Sequence, residues 1–94
     1  MLKEKEFIEF LRRDPKITSE KAIKSRISKL YDAENILGMT ADLIVQSDSL
    51  MHKSLITLRE HEDISHSVRQ NALRKYYEFK NGKIFPKLKE YERK

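Results

Sequence analysis

Cysteine and tryptophan are absent from this chain of 94 residues, and glycine and proline occur only twice each. A chain without cysteine forms no disulfides and no cysteine-based metal site, which favours a reducing cytoplasm. So few glycines and prolines predict short loops, and no apolar run approaches the roughly 20 residues that cross a bilayer. The charged first residues are unlike a signal peptide. We therefore expect one domain over residues 1–94, in which 87–94 form a linker or a frayed tail.

The net charge is +5, and its distribution along the chain is uneven. Residues 16–29 carry five cations and one anion, and residues 65–94 carry nine cations and three anions. The intervening residues 30–64 carry two cations and seven anions. If folding brings the two basic segments together, they form a positive face with an acidic back, which suits a polyanion. The alternative is that these charges only solvate the surface of a small helical domain.

The spacing of the apolar residues predicts an all-α fold, a compact bundle of four to five helices. No alternating pattern of useful length predicts a strand. We expect Ile84 and Phe85 to pack back on the bundle. Apolar residues recur at helical intervals in segments that cover residues 3–13, 20–37, a short turn at 43–45, 49–61 and 67–81.

Residues that begin or end helices stand at the boundaries of these segments. Gly38 and Gly82 follow the two longest helices, where a left-handed residue closes the last turn. Ser67 and Gln70 have the S-x-x-Q spacing of a capping box, in which two side chains satisfy free backbone N–H groups. The candidate N-caps are Thr18 or Ser19, Thr40, Ser47 or Asp48, and Ser67 with Ser65 as its rival.

Motifs of catalysis are nearly absent from the sequence. The chain has no glycine-rich phosphate loop, no H-E-x-x-H and no nucleophile elbow. His52, His61 and His66 lack the spacing of metal ligands, and no cysteine can complete a site. We therefore predict a non-catalytic protein with no cofactor, no metal and no membrane partner.

The segment SHSVRQNALRKYYEFKNGKIFP, residues 65–86, places cations and amides on one predicted helix. Cations bind phosphates, and amides can form bidentate hydrogen bonds with base edges in a major groove. Tyr76, Tyr77 and Phe79 follow the apolar stripe, so we assign them to the core. The candidate contacts with double-stranded DNA are Gln70, Asn71, Arg74 and Lys75, the flanking Arg69, Lys80 and Lys83, and, on the first basic helix, Lys21, Lys24, Ser25 and Ser28.

The order of these segments resembles the N-terminal core-binding, or SAM-like, domain of phage-integrase-type tyrosine recombinases. A short helix, FIEFLRR, precedes a long helix that opens on Thr or Ser, ITSEKAIKSRISKLYDAENILG. The segment MTADLIVQSD then leads into LMHKSLITLREHE, and the likeness ends with the helix of residues 65–86. The resemblance covers about residues 5–88, and it rests on element order and spacing more than on any one residue.

The resemblance implies a helical bundle that forms one half of a C-shaped clamp around DNA, in a bacterial or phage-encoded protein. The family's catalytic domain, which forms the other half, is missing, and nothing around Tyr91 could activate it as a nucleophile. Arg26 departs from the family, which often has an aromatic residue there. The family's DNA-facing roles fall on Lys21, Lys24, Ser25 and Ser28, and on Asn71, Arg74 and Lys75.

Two other functions remain open from the sequence. One is a protein-interaction module, in which residues 76–79 with Ile84 and Phe85 form a docking surface. The other is a small phage-type regulatory DNA-binding protein of helix-turn-helix type, which needs a tight turn between two helices. The DNA-binding prediction itself requires that Lys24 and Arg74 be exposed on the same side of the bundle.

Overall fold

The computed structural model describes residues 3–17, 19–62 and 67–93. All regular structure in these ranges is helical, which confirms the all-α prediction. Six helices occur instead of four or five, because a one-turn helix and a five-residue helix at the end of the chain add to the four longer ones. They are α1 (Glu4–Arg12), α2 (Glu20–Leu37), α3 (Ala41–Ile44), α4 (Asp48–Glu60), α5 (Val68–Asn81) and α6 (Leu88–Glu92).

The ends of α2 follow the local chemistry of the sequence. The Ser19 hydroxyl accepts a hydrogen bond from the backbone N–H of Ala22 at 3.1 Å, which confirms Ser19 as the N-cap. Thr18, the other candidate, lies outside the described residues. At the other end Gly38 has φ 68°, and Gly82 closes α5 with φ 71°. Both glycines adopt the left-handed conformation that the sequence predicted. Most other residues adopt this conformation only with strain.

The beginning of α5 does not use the predicted capping box. The Ser67 side chain makes no capping bond, and Ser65 lies outside the described residues. Instead the Glu62 carboxylate accepts a bond from the backbone N–H of Arg69 at 2.6 Å and one from the Gln70 side-chain amide at 3.1 Å. A carboxylate at a helix N-terminus satisfies a free donor and also opposes the helix dipole. The prediction of a Ser67–Gln70 box was therefore wrong.

One hydrophobic core joins the helices. Its largest fully buried side chains come from α1, α2, α3, α4 and α5, and from the connector after α5. Both α2 and α4 bury an apolar stripe of helical periodicity, as the sequence predicted. The fully buried large side chains are Phe7, Leu11, Leu30, Ile44, Val45, Met51, Leu55, Leu58, Leu73, Tyr76, Tyr77 and Phe85.

The aromatic residues of α5 lie inside the bundle, as the sequence predicted. Tyr76 and Tyr77 are buried, and each hydroxyl donates to a carboxylate of the acidic segment. Tyr76 donates to Asp42, and Tyr77 donates to Asp48 at 2.7 Å. Phe79 packs at the edge of the same cluster and is half-buried. A buried hydroxyl without a hydrogen-bond partner destabilises the fold. These two carboxylates satisfy the tyrosine hydroxyls, so the aromatic side of α5 can be buried in the core.

The chain after α5 packs back only in part. Phe85 is buried, with its ring 5.1 Å from that of Tyr77. Ile84, which we also expected to pack, is 73% exposed. The tail forms α6, which docks through Tyr91, stacked on the His52 ring at 4.8 Å, and through Glu92, 2.9 Å from His52 Nε2.

Helices α2 and α5 pack against each other. Asp32, in the second half of α2, lies 3.9 Å from Arg69 near the beginning of α5. Arg26, in the first half of α2, lines a depression together with Arg74 and Glu78 farther along α5. Parts of the two basic segments therefore border one surface, although they are far apart in the sequence.

No helix in the described part of the chain is long and apolar enough to cross a membrane.

We predict that Tyr31, Tyr76 and Tyr77 resist ionisation in the folded protein. Burial and the bond to Asp48 raise the pKa of Tyr77 to about 12, and burial with the Asp42 bond raises the pKa of Tyr76 further. The neutral forms are thus favoured in the fold. Stability should be fully present below the ordinary tyrosine pKa of about 10 and should fall as the pH rises above it.

Ultraviolet absorbance of tyrosinate measures this property directly. At about pH 10.5 the native chain should show less than half the tyrosinate signal of the urea-unfolded chain at the same pH. Equal signals from the two states would show that the hydroxyls of Tyr76 and Tyr77 are not held by the carboxylates.

Candidate nucleic-acid interface

A shallow groove runs between α2 and α5. Its walls carry hydrogen-bonding and cationic side chains from the first half of α2, together with Val68 and Asn71 from the beginning of α5. Asn71 is exposed, so its amide is open to a ligand. We call this the α2–α5 groove; its lining residues are Ala22, Ser25, Arg26, Lys29, Val68 and Asn71.

A second depression continues the groove along α5. Arg26 and Asn71 line both, so the two form one continuous surface. The second depression adds Arg74, Lys75 and Glu78 from α5 and ends at Ile84. We call the groove and this depression together the α2–α5 face. It combines guanidinium, ammonium and amide groups, which are the groups that contact phosphates and base edges.

Arg26 is central to this face, although sequence reasoning did not include it among the DNA contacts. Its position at the edge of the apolar stripe suggested packing, and its side chain is indeed half-buried. It lines the groove and the depression, and no described carboxylate lies within ion-pair distance of its guanidinium. The sequence did carry a signal for Arg26, which is its position at the border of the buried stripe. A long side chain at such a position can extend to the surface.

The other predicted α2 contacts divide between two sides of the helix. Ser25 lines the α2–α5 groove, whereas Lys24 and Ser28 line a different groove, between α1 and α2. Lys21 is exposed. The structure therefore does not bring Lys24 into the depression that holds Arg74, and the predicted contacts on α2 form a broad surface around the helix instead of one row.

Three of the predicted cations on α5 are partly neutralised by carboxylates. Lys75 bonds to Asp14 and lies 3.4 Å from Glu78. The pKa of Asp14 is lowered, chiefly by that bond to Lys75 and also by the backbone N–H of Lys16. Arg69 lies 3.8 Å from Glu62 and 3.9 Å from Asp32, and Lys80 lies 3.7 Å from Asp42. The field of α5 is consequently weaker than its sequence predicts.

Arg74 holds the chain after α5 in place. Its guanidinium donates to the backbone carbonyl oxygens of Phe85 and Pro86 at 3.0 and 3.2 Å, and it lies over the Phe85 ring. The side chain is half-buried, and burial lowers the pKa of the guanidinium. The expectation of a fully exposed Arg74 was therefore wrong, because the residue satisfies two carbonyl groups that α5 and α6 leave unpaired.

Among Arg26 and the cations predicted to contact DNA, those without a carboxylate ion pair lie mainly on α2. In residues 3–17, 19–62 and 67–93, no carboxylate forms an ion pair with Lys21, Lys24, Arg26 or Lys83. Lys21, Lys24 and Lys83 are exposed. A cation without an ion pair need not break one to bind a phosphate, so these four residues are the strongest candidates for phosphate contacts.

The described residues contain no group of three or more His, Asp or Glu side chains that could hold a metal ion. His52 is engaged with Glu92 and Tyr91, and His61 is exposed. His66 lies outside the described residues.

Comparison of the chain with protein-family models, with curated proteins and with solved structures found no match. The likeness to integrase core-binding domains therefore rests on the order and spacing of its helices alone.

We predict that Arg74 contributes to stability and that Arg26 does not. Arg74→Ala should lower the free energy of unfolding by about 2 kcal/mol, because two carbonyl groups lose a charged donor. Arg26→Ala, the matched control on the same face, should change it by about 0.5 kcal/mol or less. Urea denaturation followed by circular dichroism measures both values. Equal stability of the two variants would show that the Arg74 hydrogen bonds do not hold the fold.

Proposed function

We propose that this chain binds duplex DNA through the α2–α5 face, as a non-catalytic domain of an integrase-like recombinase. The observation that carries the proposal is the α2–α5 groove, in which Ser25 and Arg26 from one basic segment face Asn71 from the other. Such a surface offers positive charge to a phosphate backbone and a free amide to base edges.

In this proposal the unpaired cations provide most of the affinity. Lys21, Lys24 and Arg26 contact phosphates beside α2, and Lys83 contacts one beyond the end of α5. Each neutralised phosphate releases condensed counterions, so four such contacts give log K against log salt a slope of about −3.6. Because several cations of α5 already have carboxylate partners, binding by this domain alone is weak and falls steeply with salt.

Base readout in this proposal is modest and centres on Asn71. The Asn71 side chain is exposed and lies between the cations of α2 and those of α5. An asparagine amide can form two hydrogen bonds with adenine in the major groove. Gln70 contributes less, because its amide is already bonded to Glu62.

The recombinase part of the proposal comes from the resemblance in element order. A core-binding domain clamps DNA together with a catalytic domain, and that second domain performs strand cleavage. The chain would then supply one arm of the clamp and no catalytic group. The groups that contact DNA would be those on the α2–α5 face together with Lys21, Lys24 and Lys83, which lie outside that face.

The alternative of a protein-interaction module loses most of its proposed surface. That alternative required exposed aromatics, but Tyr76, Tyr77 and Phe85 are buried in the core. Of the residues proposed for docking, Ile84 alone is largely exposed among those the structure describes. For the helix-turn-helix alternative, the connector between Glu60 and Val68 is longer than the tight turn of that motif. The two three-residue connectors of the structure flank α3, which has a single turn.

Charge reversal on α2 tests the proposal. The double variant Lys21→Glu and Lys24→Glu should weaken binding to a short fluorescent duplex by about tenfold or more and should make the salt slope shallower by about two. The fold should be retained, since both side chains are exposed and negative charge near a helix N-terminus is favourable. Fluorescence anisotropy over a range of salt concentrations measures both quantities.

Lys53→Glu is the matched control for this experiment. Lys53 is exposed on α4, a helix that contributes nothing to the α2–α5 face. This variant should lower affinity only slightly, through the change in net charge. If Lys53→Glu weakens binding as much per charge as the α2 variant does, DNA contact is not localised on α2. If the wild-type chain does not bind DNA at low salt, the proposed function is wrong.

A further inference from the structure

Ile84 is the most exposed large hydrophobic residue in the described part of the chain, at 73%. The next, Leu43, is 50% exposed. Ile84 follows exposed Lys83 and precedes buried Phe85 in the connector between α5 and α6. An isolated exposed aliphatic residue is ordinary on a protein surface. Ile84 differs from such residues in two ways: its backbone is held in place, and cations surround its side chain.

The backbone around Ile84 is held on both sides. Before it, Gly82 closes α5 in the left-handed conformation. After it, Phe85 is anchored in the core against Tyr77, and Arg74 holds the carbonyl oxygens of Phe85 and Pro86. Ile84 therefore projects from a fixed turn, and a ligand that contacts it need not pay to order a flexible loop.

Cations surround this apolar tip. On one side Ile84 closes the α2–α5 face next to Arg26 and Arg74. On the other side it lines a separate depression with Arg13 and Lys16. Two carboxylates in this area, Asp14 and Glu78, share contact with Lys75, which compensates one of their two negative charges. An apolar side chain within a cationic rim fits a ligand with an anionic surface and an apolar interior, and duplex DNA has both.

We propose that Ile84 is a wedge that inserts at a base step and bends the bound duplex. Aliphatic side chains of DNA-bending proteins enter from the minor groove and partly unstack neighbouring bases, while flanking cations hold the phosphates. Lys83 and Arg26 would be the flanking cations here. This inference rests on the proposed function, and it adds that binding deforms the DNA through an apolar contact.

Bending and affinity can be measured together on one duplex labelled at both ends. Binding of the wild-type chain should shorten the end-to-end distance, seen as increased energy transfer between the labels. Ile84→Ser should remove that increase and weaken binding about fivefold to tenfold at every salt concentration. The salt slope should stay unchanged, because a lost apolar contact releases no counterions. Ile84→Leu, which keeps the apolar volume, should retain both bending and affinity.

The fold should survive these substitutions because the side chain is exposed, and thermal unfolding by circular dichroism checks this. If the wild-type chain binds and Ile84→Ser binds and bends the duplex equally well, the wedge is wrong while DNA binding stands. A change in salt slope with Ile84→Ser would also overturn the wedge, since the loss would then be ionic. If the wild-type chain does not bind, the proposed function itself fails.

Discussion

The packing of α5 on α2 is the constraint on which the rest of the structure depends. It brings Arg69 to Asp32 in the second half of α2, and it brings Val68 and Asn71 to the first half of α2. It also places the middle of α5 beside Arg26 in the first half of α2. Two basic segments that are distant in the sequence thereby border one groove.

Some of the carboxylates that bond to α5 also lie near its cations, so they reduce the positive charge that this helix presents at the surface. Three carboxylates of the acidic middle of the chain bond to α5. Asp42 and Asp48 accept hydrogen bonds from the hydroxyls of Tyr76 and Tyr77, and Glu62 caps the helix. These carboxylates make the aromatic core possible, and Asp42 also approaches Lys80. The arrangement leaves less uncompensated positive charge on α5 than its sequence predicts.

The sequence predicted those features that local chemistry controls. The bounds of α2, its Ser19 cap and the left-handed Gly38 all depend on residues within one helical turn of the boundary. The sequence did not predict the contacts that join distant residues, such as Lys75 with Asp14 or Arg74 with the carbonyl of Phe85. Periodicity identifies which face of a helix is polar, but it cannot identify the partner that a polar side chain finds. The structure therefore departs more from the predicted site residues than from the predicted fold.

The most direct test of the account is an NMR titration of the labelled chain with duplex DNA at low and at moderate salt. The account predicts that amide shifts concentrate on the first half of α2 and on residues 69–84, with Asn71 and Arg26 among the largest. It also predicts that the shifts diminish at moderate salt, as ionic contacts weaken. Shifts centred on α4, or spread evenly over the bundle, would contradict the claim that α2 and α5 together form the DNA-binding face.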